Sequence, residues 1–235
     1  MERVQMIRPG FFSPLQAAAD ASRTEFDIKN ECLLVKKTPI RFVFFGDSIT
    51  QRWELNTFFQ SEKGIFVNRG IGGDVAEFGA RRFEADALQL RPQHVVLLIG
   101  VNDTFKLEAS MLPSRKGWSI EEVVNLVIRN IVNMVQQAAD YQQSLVLCSL
   151  LPTDLVRTEM RAERNRAIVE INKHLKTIAS SAGCIFVDYH SSFVNHDGFT
   201  LRPDFSDDGI HPHSAGYTKM AEILRDTLLH AGVEI

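Results

Sequence analysis

Five short apolar runs, separated by stretches of helical periodicity, constrain this chain most. They lie at residues 42–45, 65–67, 95–99, 145–149 and 185–187, and are rich in Val, Ile, Leu and Phe. None alternates cleanly between apolar and polar residues, which is the pattern of strands buried on both faces of a parallel sheet. Amphipathic stripes lie between and after them. Ala76, Ala80, Phe83, Ala87 and Leu90 recur at spacings of four and three. Ile120, Val123, Val124, Val127, Ile128, Ile131 and Val135 form a second stripe, and Ala167, Ile168, Ile171, Leu175 and Ile178 a third. Met220, Ile223, Leu224 and Leu228 close the chain. Each stripe is one apolar face of a helix. Strand–helix alternation repeated in this way predicts a doubly wound α/β sandwich.

Residues 1–38 stand outside this rhythm. Residues 16–21 are alanine-rich and predict a helix. The segment reads as an N-terminal extension packed on the core or on a neighbouring subunit, so a homo-oligomer formed through it is one expectation. The domain itself then runs over 39–235. A chain of 235 residues with 45% hydrophobic content can bury one sizeable core.

A net charge of −3 gives no strong pull on nucleic acid or an anionic membrane. The apolar run 95–99 is too short to span a bilayer, and the first fifteen residues lack the continuous apolar stretch of a signal peptide. The three cysteines, Cys32, Cys148 and Cys184, show no CxxC spacing. Cys148 and Cys184 sit in apolar runs and are expected in buried strands. A reducing cytoplasmic location is the expectation.

Residues capable of chemistry cluster after the predicted strands, at the sheet edge where open α/β folds bind ligands. Gly46-Asp47-Ser48-Ile49-Thr50 follows the first strand. Asn68-Arg69-Gly70-Ile71-Gly72-Gly73-Asp74 follows the second, and Gly100-Val101-Asn102-Asp103 the third. Asp207-Asp208-Gly209-Ile210-His211-Pro212 comes late in the chain. Singly, each has a structural explanation: Ser48 as a helix cap, the glycines as a tight turn with Asp74 capping a helix, Asn102 and Asp103 as turn formers, His211-Pro212 as a helix start.

Together they meet the needs of acyl transfer, which requires a nucleophile, its base, a group orienting the base, and oxyanion donors. Ser48 is the candidate nucleophile and His211 the candidate base. Asp208, three positions before His211, can reach the other imidazole nitrogen. The N–H groups of Ser48 and Gly73 and the amide of Asn102 are candidate oxyanion donors. Glycine at 73 is expected to permit close approach of backbone to substrate.

Those four blocks resemble the GDSL-type, or SGNH, hydrolases over Phe42 to Tyr217, with Ile49 where the namesake motif has Leu. The resemblance implies a flavodoxin-like three-layer sandwich with a parallel sheet of about five strands. It implies Ser48 as nucleophile, Gly73 and Asn102 as oxyanion donors, and His211 as base with Asp208 as its partner. The glycine block is similar to that of platelet-activating-factor acetylhydrolases and bacterial sugar-ester deacetylases.

The expected activity is hydrolysis of a short acyl ester, acetyl foremost, with a carbohydrate as the alcohol and with no metal and no cofactor. A lipase, lysophospholipase or thioesterase is the alternative within the family. A metal-dependent phosphoesterase and a non-catalytic binding module are the alternatives outside it.

Asp47, Trp118 and His213 are further candidates for touching substrate, and Trp53 is expected in the core. Asp207 competes with Asp208 for the role beside His211, and Asp103 is expected to brace a loop. Arg69, His94, His174 and His230 are expected to face solvent. The segments 104–119 and 189–212 are the least regular, and the first could form a lid.

Overall fold

The computed structural model describes residues 5–9, 17–108, 117–156 and 158–235. Helix α1 (Ala17–Lys36) precedes strand β1 (Ile40–Gly46), which leads into two short helices, α2 (Ser48–Gln51) and α3 (Leu55–Phe58). Strand β2 (Ile65–Gly70) and helix α4 (Ala76–Asp86) follow, then a 3₁₀ turn at Leu88–Leu90 and strand β3 (His94–Leu98). A second 3₁₀ helix, Asn102–Leu107, precedes α5 (Ile120–Asp140), β4 (Ser144–Cys148), α6 (Arg161–Ala182) and β5 (Ile185–Val187). The short helix α7 (His190–Phe193), a 3₁₀ turn at Pro203–Phe205 and α8 (Ser214–His230) complete the chain.

The five strands form one parallel sheet in the order β2-β1-β3-β4-β5. All seven residues of β1 are buried, as its uninterrupted apolar run requires of a strand covered on both faces. Successive side chains alternate across it. Phe44 meets Trp53 edge-on, with ring centroids 5.5 Å apart, on the face covered by the α2–α3 segment. Phe45 meets Phe83 of α4 at 5.1 Å on the other face. Helices α4, α5 and α6 pack side by side on the Phe45 face. On the Phe44 face, Tyr217 of α8 stacks on Trp53 and donates to the Ile49 carbonyl at 2.7 Å. The result is the predicted three-layer α/β sandwich.

Local signals set the helix ends. Ser119 Oγ accepts from Glu122 N at 3.2 Å while Glu122 accepts from Ser119 N at 2.7 Å, a capping box that starts α5. Gly183 ends α6 in a left-handed turn, with φ +68°. The amide of Cys184 donates back to Ala179 at 2.9 Å, which closes that helix. Cys184 is therefore a half-buried capping residue rather than the buried strand residue expected, while Cys148 is buried at the end of β4.

Helix α1 packs against α4 of its own chain, one of the two placements open for the extension. Residues 109–116, half of the segment considered as a lid, lie outside the described residues.

Candidate active site

Strands β1, β2 and β3 are adjacent, and their carboxyl ends lie in register: Gly46 pairs with Gly70 on one side and with Leu98 on the other. The three blocks that follow these strands are thus delivered to one edge of the sheet. Asp47 is the N-cap of α2, its Oδ1 accepting from Ile49 N at 2.9 Å. The cap role thus falls to Asp47, and Ser48 becomes the first residue of the helix, only 8% exposed.

His211 Nε2 lies 2.9 Å from Ser48 Oγ, and His211 Nδ1 lies 2.6 Å from Asp208 Oδ2. For Nε2 to accept the serine proton, the imidazole must carry its own proton on Nδ1, facing Asp208. Asp208 rather than Asp207 occupies this position. Its Oδ1 accepts from the backbone N–H groups of His211, at 2.8 Å, and Ile210, at 3.0 Å, which folds the late loop into a turn. Burial pushes the Asp208 carboxyl upward, but these backbone and imidazole hydrogen bonds outweigh it and bring the pKa to about 2. Asp208 is thus an anion throughout the neutral range. Arg52 Nη1 lies 3.9 Å from it.

The glycine block turns back over α2. A Cβ on Gly70 would stand 2.1 Å from Gln51 N, so the close approach demanding glycine is here, between two protein segments. Gly73 has φ +75°, and a Cβ there would meet no protein atom within 4 Å. Its left-handed backbone by itself favours glycine, and no protein atom occupies the space that a side chain would fill. Asn102 Nδ2 donates to the Asp74 carbonyl at 2.9 Å, which ties the third block to the second. The amide group retains a second hydrogen.

Beneath these loops lie several buried carboxyls. Asp103 Oδ2 accepts from Ala76 N at 2.9 Å, bracing α4. Burial raises both Asp47 and Asp103 from the ordinary 3.8 to about 7. A carboxyl raised in the folded state binds its proton there more tightly than in the unfolded chain. The stability this contributes is full below pH 3.8 and is lost as pH rises through about 7. The melting temperature is therefore expected to decline between pH 5 and pH 8. The double variant Asp47→Asn/Asp103→Asn should flatten that decline, since an amide keeps the backbone bonds without titrating. Scanning calorimetry across this range measures it, and an unchanged slope in the double variant counts against the assignment.

The other candidates have partners of their own. His213 caps α8, its Nδ1 accepting from Ala215 N at 3.2 Å. Trp118 is exposed, with Lys106 Nζ 5.2 Å from its ring centroid. Trp53 is in the core, as expected. Two expectations of solvent exposure fail. His94 is half-buried in β3, stacked on Phe42 and 2.8 Å from Ser144 Oγ. Arg69 is buried, its guanidinium 4.8 Å from the Phe26 ring centroid and donating to Asn30 Oδ1 at 2.8 and 3.0 Å.

Sequence reasoning missed Arg82, which sits within the apolar stripe of α4. It donates to Asp74 Oδ2 at 2.7 Å, to the Gly46 carbonyl at 2.9 Å and to the Arg69 carbonyl at 3.0 Å. An arginine inside a stripe of Ala and Phe is the signal that could have found it, because a buried guanidinium needs acceptors. Among the described residues, no three His, Cys, Asp or Glu side chains are grouped to hold a metal ion. Among them too, no helix is long and apolar enough to cross a membrane.

The model of the GDSL-like lipase/acylhydrolase family matches residues 44–219, three-quarters of the chain. The chain belongs to this family. An acetylxylan esterase from Geobacillus stearothermophilus is 26% identical over 162 residues, covering 68% of this chain and 70% of that protein. The crystal structure of a GDSL-like lipase from Bacteroides thetaiotaomicron has a TM-score of 0.72 and 25% identity, covering 88% of this chain and 97% of the other. An acetylxylan esterase structure from Geobacillus stearothermophilus has a TM-score of 0.64 at 20% identity, covering 81% of this chain and 94% of that one, and supports the fold. As a GDSL-like acylhydrolase the protein is a carboxylic ester hydrolase acting on small-molecule esters, and a catalytic triad and an oxyanion hole are general features of its fold.

Proposed function

We propose that this GDSL-like acylhydrolase is a serine esterase that removes a short acyl group, acetyl foremost, from a carbohydrate alcohol. The observation that carries the proposal is the hydrogen-bonded line Ser48–His211–Asp208, at 2.9 and 2.6 Å, beside the loops of Gly73 and Asn102. Ser48 Oγ attacks the ester carbonyl as its proton passes to His211 Nε2. The N–H groups of Ser48 and Gly73 and the free amide hydrogen of Asn102 hold the oxyanion. His211 returns the proton to the departing alcohol, leaving an acyl-enzyme on Ser48. It then activates water to hydrolyse that ester. Asp208 holds the imidazole tautomer and stabilises its cation.

Two observations favour a hydroxyl-rich alcohol. A cleft of about 570 Å³ has Asp208 on its wall, and its mixed lining, Asp154, Arg202 and Ser206 beside Leu155, Val156 and Leu201, suits the hydroxyls and the apolar ring face of a sugar. The curated relative acts on acetylated xylan by its name. The three unpaired cysteines suit a reducing cytoplasmic setting.

A panel of p-nitrophenyl esters of increasing chain length, run beside acetylated sugars, tests the substrate. Activity should fall steeply beyond acetyl; a rise with chain length would make the enzyme a lipase or thioesterase instead. In the same assay Asn102→Ala should lower kcat about 10²- to 10³-fold, the cost of one oxyanion donor. A loss confined to KM would remove Asn102 from that role.

A further inference from the structure

Helix α1 lies wholly before the span that the family model matches, yet it is joined to the candidate site by buried charge. Arg23, Arg69, Arg82, Asp74 and Asp86 are each at most 4% exposed, and Asn30 among them is fully buried. From α1, Arg23 pairs with Asp86, and Asn30 Nδ2 donates to the same Asp86 oxygen at 3.2 Å. Asn30 Oδ1 is the acceptor for the Arg69 guanidinium. Asp86 Oδ2 in turn accepts from Arg82 at 3.2 Å.

The three other bonds of Arg82 all reach the sheet edge. They go to the carbonyl of Gly46, two residues before Ser48, to the carbonyl of Arg69, and to the carboxylate of Asp74. Asp74 follows Gly73 and supplies the carbonyl that holds Asn102.

We infer that α1 is a positioning element for the oxyanion donors, with Arg23 and Asn30 acting through Asp86 and Arg69 on Arg82, and Arg82 acting on the Asp74 loop. The inference rests on the esterase function proposed above. Burying five charges is a poor route to stability, because apolar residues of equal volume commonly do as well. What the network provides is direction. A guanidinium has its donors in one rigid plane, so fixing Arg82 from beneath fixes two backbone carbonyls and the Asp74 carboxylate at once. Gly73 N–H lies in the peptide between Gly72 and Gly73, one residue before Asp74, and the Asn102 amide hangs from the Asp74 carbonyl. A shift of Asp74 therefore moves both donors together. Misplacement by about 1 Å is enough to cost about 10²-fold in rate.

The experiment compares Asn30→Ala and Arg23→Met with wild type, on an acetyl ester well below the melting temperature of each. Both should lower kcat about 10- to 100-fold with KM within about twofold. Adding Asn102→Ala to either should then cost far less than it does alone, because the donor is already displaced. Arg41→Met, which removes a buried guanidinium at the opposite end of β1, is the control. It should lower the melting temperature and leave kcat unchanged. Where Arg23→Met fails to fold, Asn30→Ala carries the same comparison.

Retention of kcat in the α1 variants, or full additivity with Asn102→Ala, overturns the inference. Amide hydrogen exchange of residues 71–74 gives a readout independent of turnover. It should quicken in both α1 variants and not in Arg41→Met; unchanged exchange also overturns the coupling. If wild type hydrolyses no ester at all, the proposed function fails by itself, and the exchange result still decides whether α1 orders the loop.

Discussion

Ser48→Ala is expected to lower kcat for ester hydrolysis by about 10⁴- to 10⁶-fold, the scale seen when a triad nucleophile is removed. The loss is this large because the serine, histidine and donors act as a unit: without Oγ there is no covalent intermediate for the rest to stabilise. The fold should survive. Ser48 Oγ has His211 Nε2 as its partner at 2.9 Å, while α2 is capped by Asp47. Melting temperature and far-UV spectrum are thus expected to match wild type. A fluorophosphonate should phosphonylate wild type, with loss of fluoride, and add the phosphonyl mass to it and not to the variant. Near-wild-type turnover by purified Ser48→Ala, or an adduct at another residue, would sink the assignment of the nucleophile.

Asp208→Asn is expected to cost about 10³- to 10⁴-fold in kcat, with a much smaller change in KM. The amide oxygen can still accept from the Ile210 and His211 N–H groups, so the turn around residues 206–211 persists. The amide nitrogen would then face His211 Nδ1 as a donor. The imidazole must answer as an acceptor there and carry its proton on Nε2. From Nε2 that proton points at Ser48, so the ring can no longer receive the serine proton. The carboxylate in wild type is held near pKa 2, and its effect on the tautomer does not fade anywhere in the working range. A loss of less than tenfold in kcat would show that Asp208 does not orient the base.

Much of this fold is legible in the sequence because a doubly wound sheet leaves a coarse trace. Strands covered on both faces must be apolar throughout, and the five runs found this way are the five strands observed. The candidate triad is legible for the same reason: strand ends are where such a fold displays chemistry, and Ser48, Asn102 and His211 stand just past them or on the last loop. What sequence patterns miss is contact between distant segments. Arg69 looks like an ordinary surface cation until α1 supplies Phe26 and Asn30, and nothing local announces a partner 39 residues away. Cys184 looks like a strand residue because the apolar run continues through it. The left-handed turn at Gly183 hands it to the preceding helix instead.

The distance along the chain between Ser48 and His211 has a consequence for synthesis. The two residues that share a hydrogen bond are 163 positions apart, one just past the first strand and the other on the last loop. Contacts of such long range form late, after the intervening chain has folded. A ribosome that has finished the first four strands holds a polypeptide with an inert serine, because the base has not been made. With Ser48 as the nucleophile, reactivity is thus expected only once the last loop is in place, and the fraction of a preparation that an acylating reagent labels should count the chains that have folded that far.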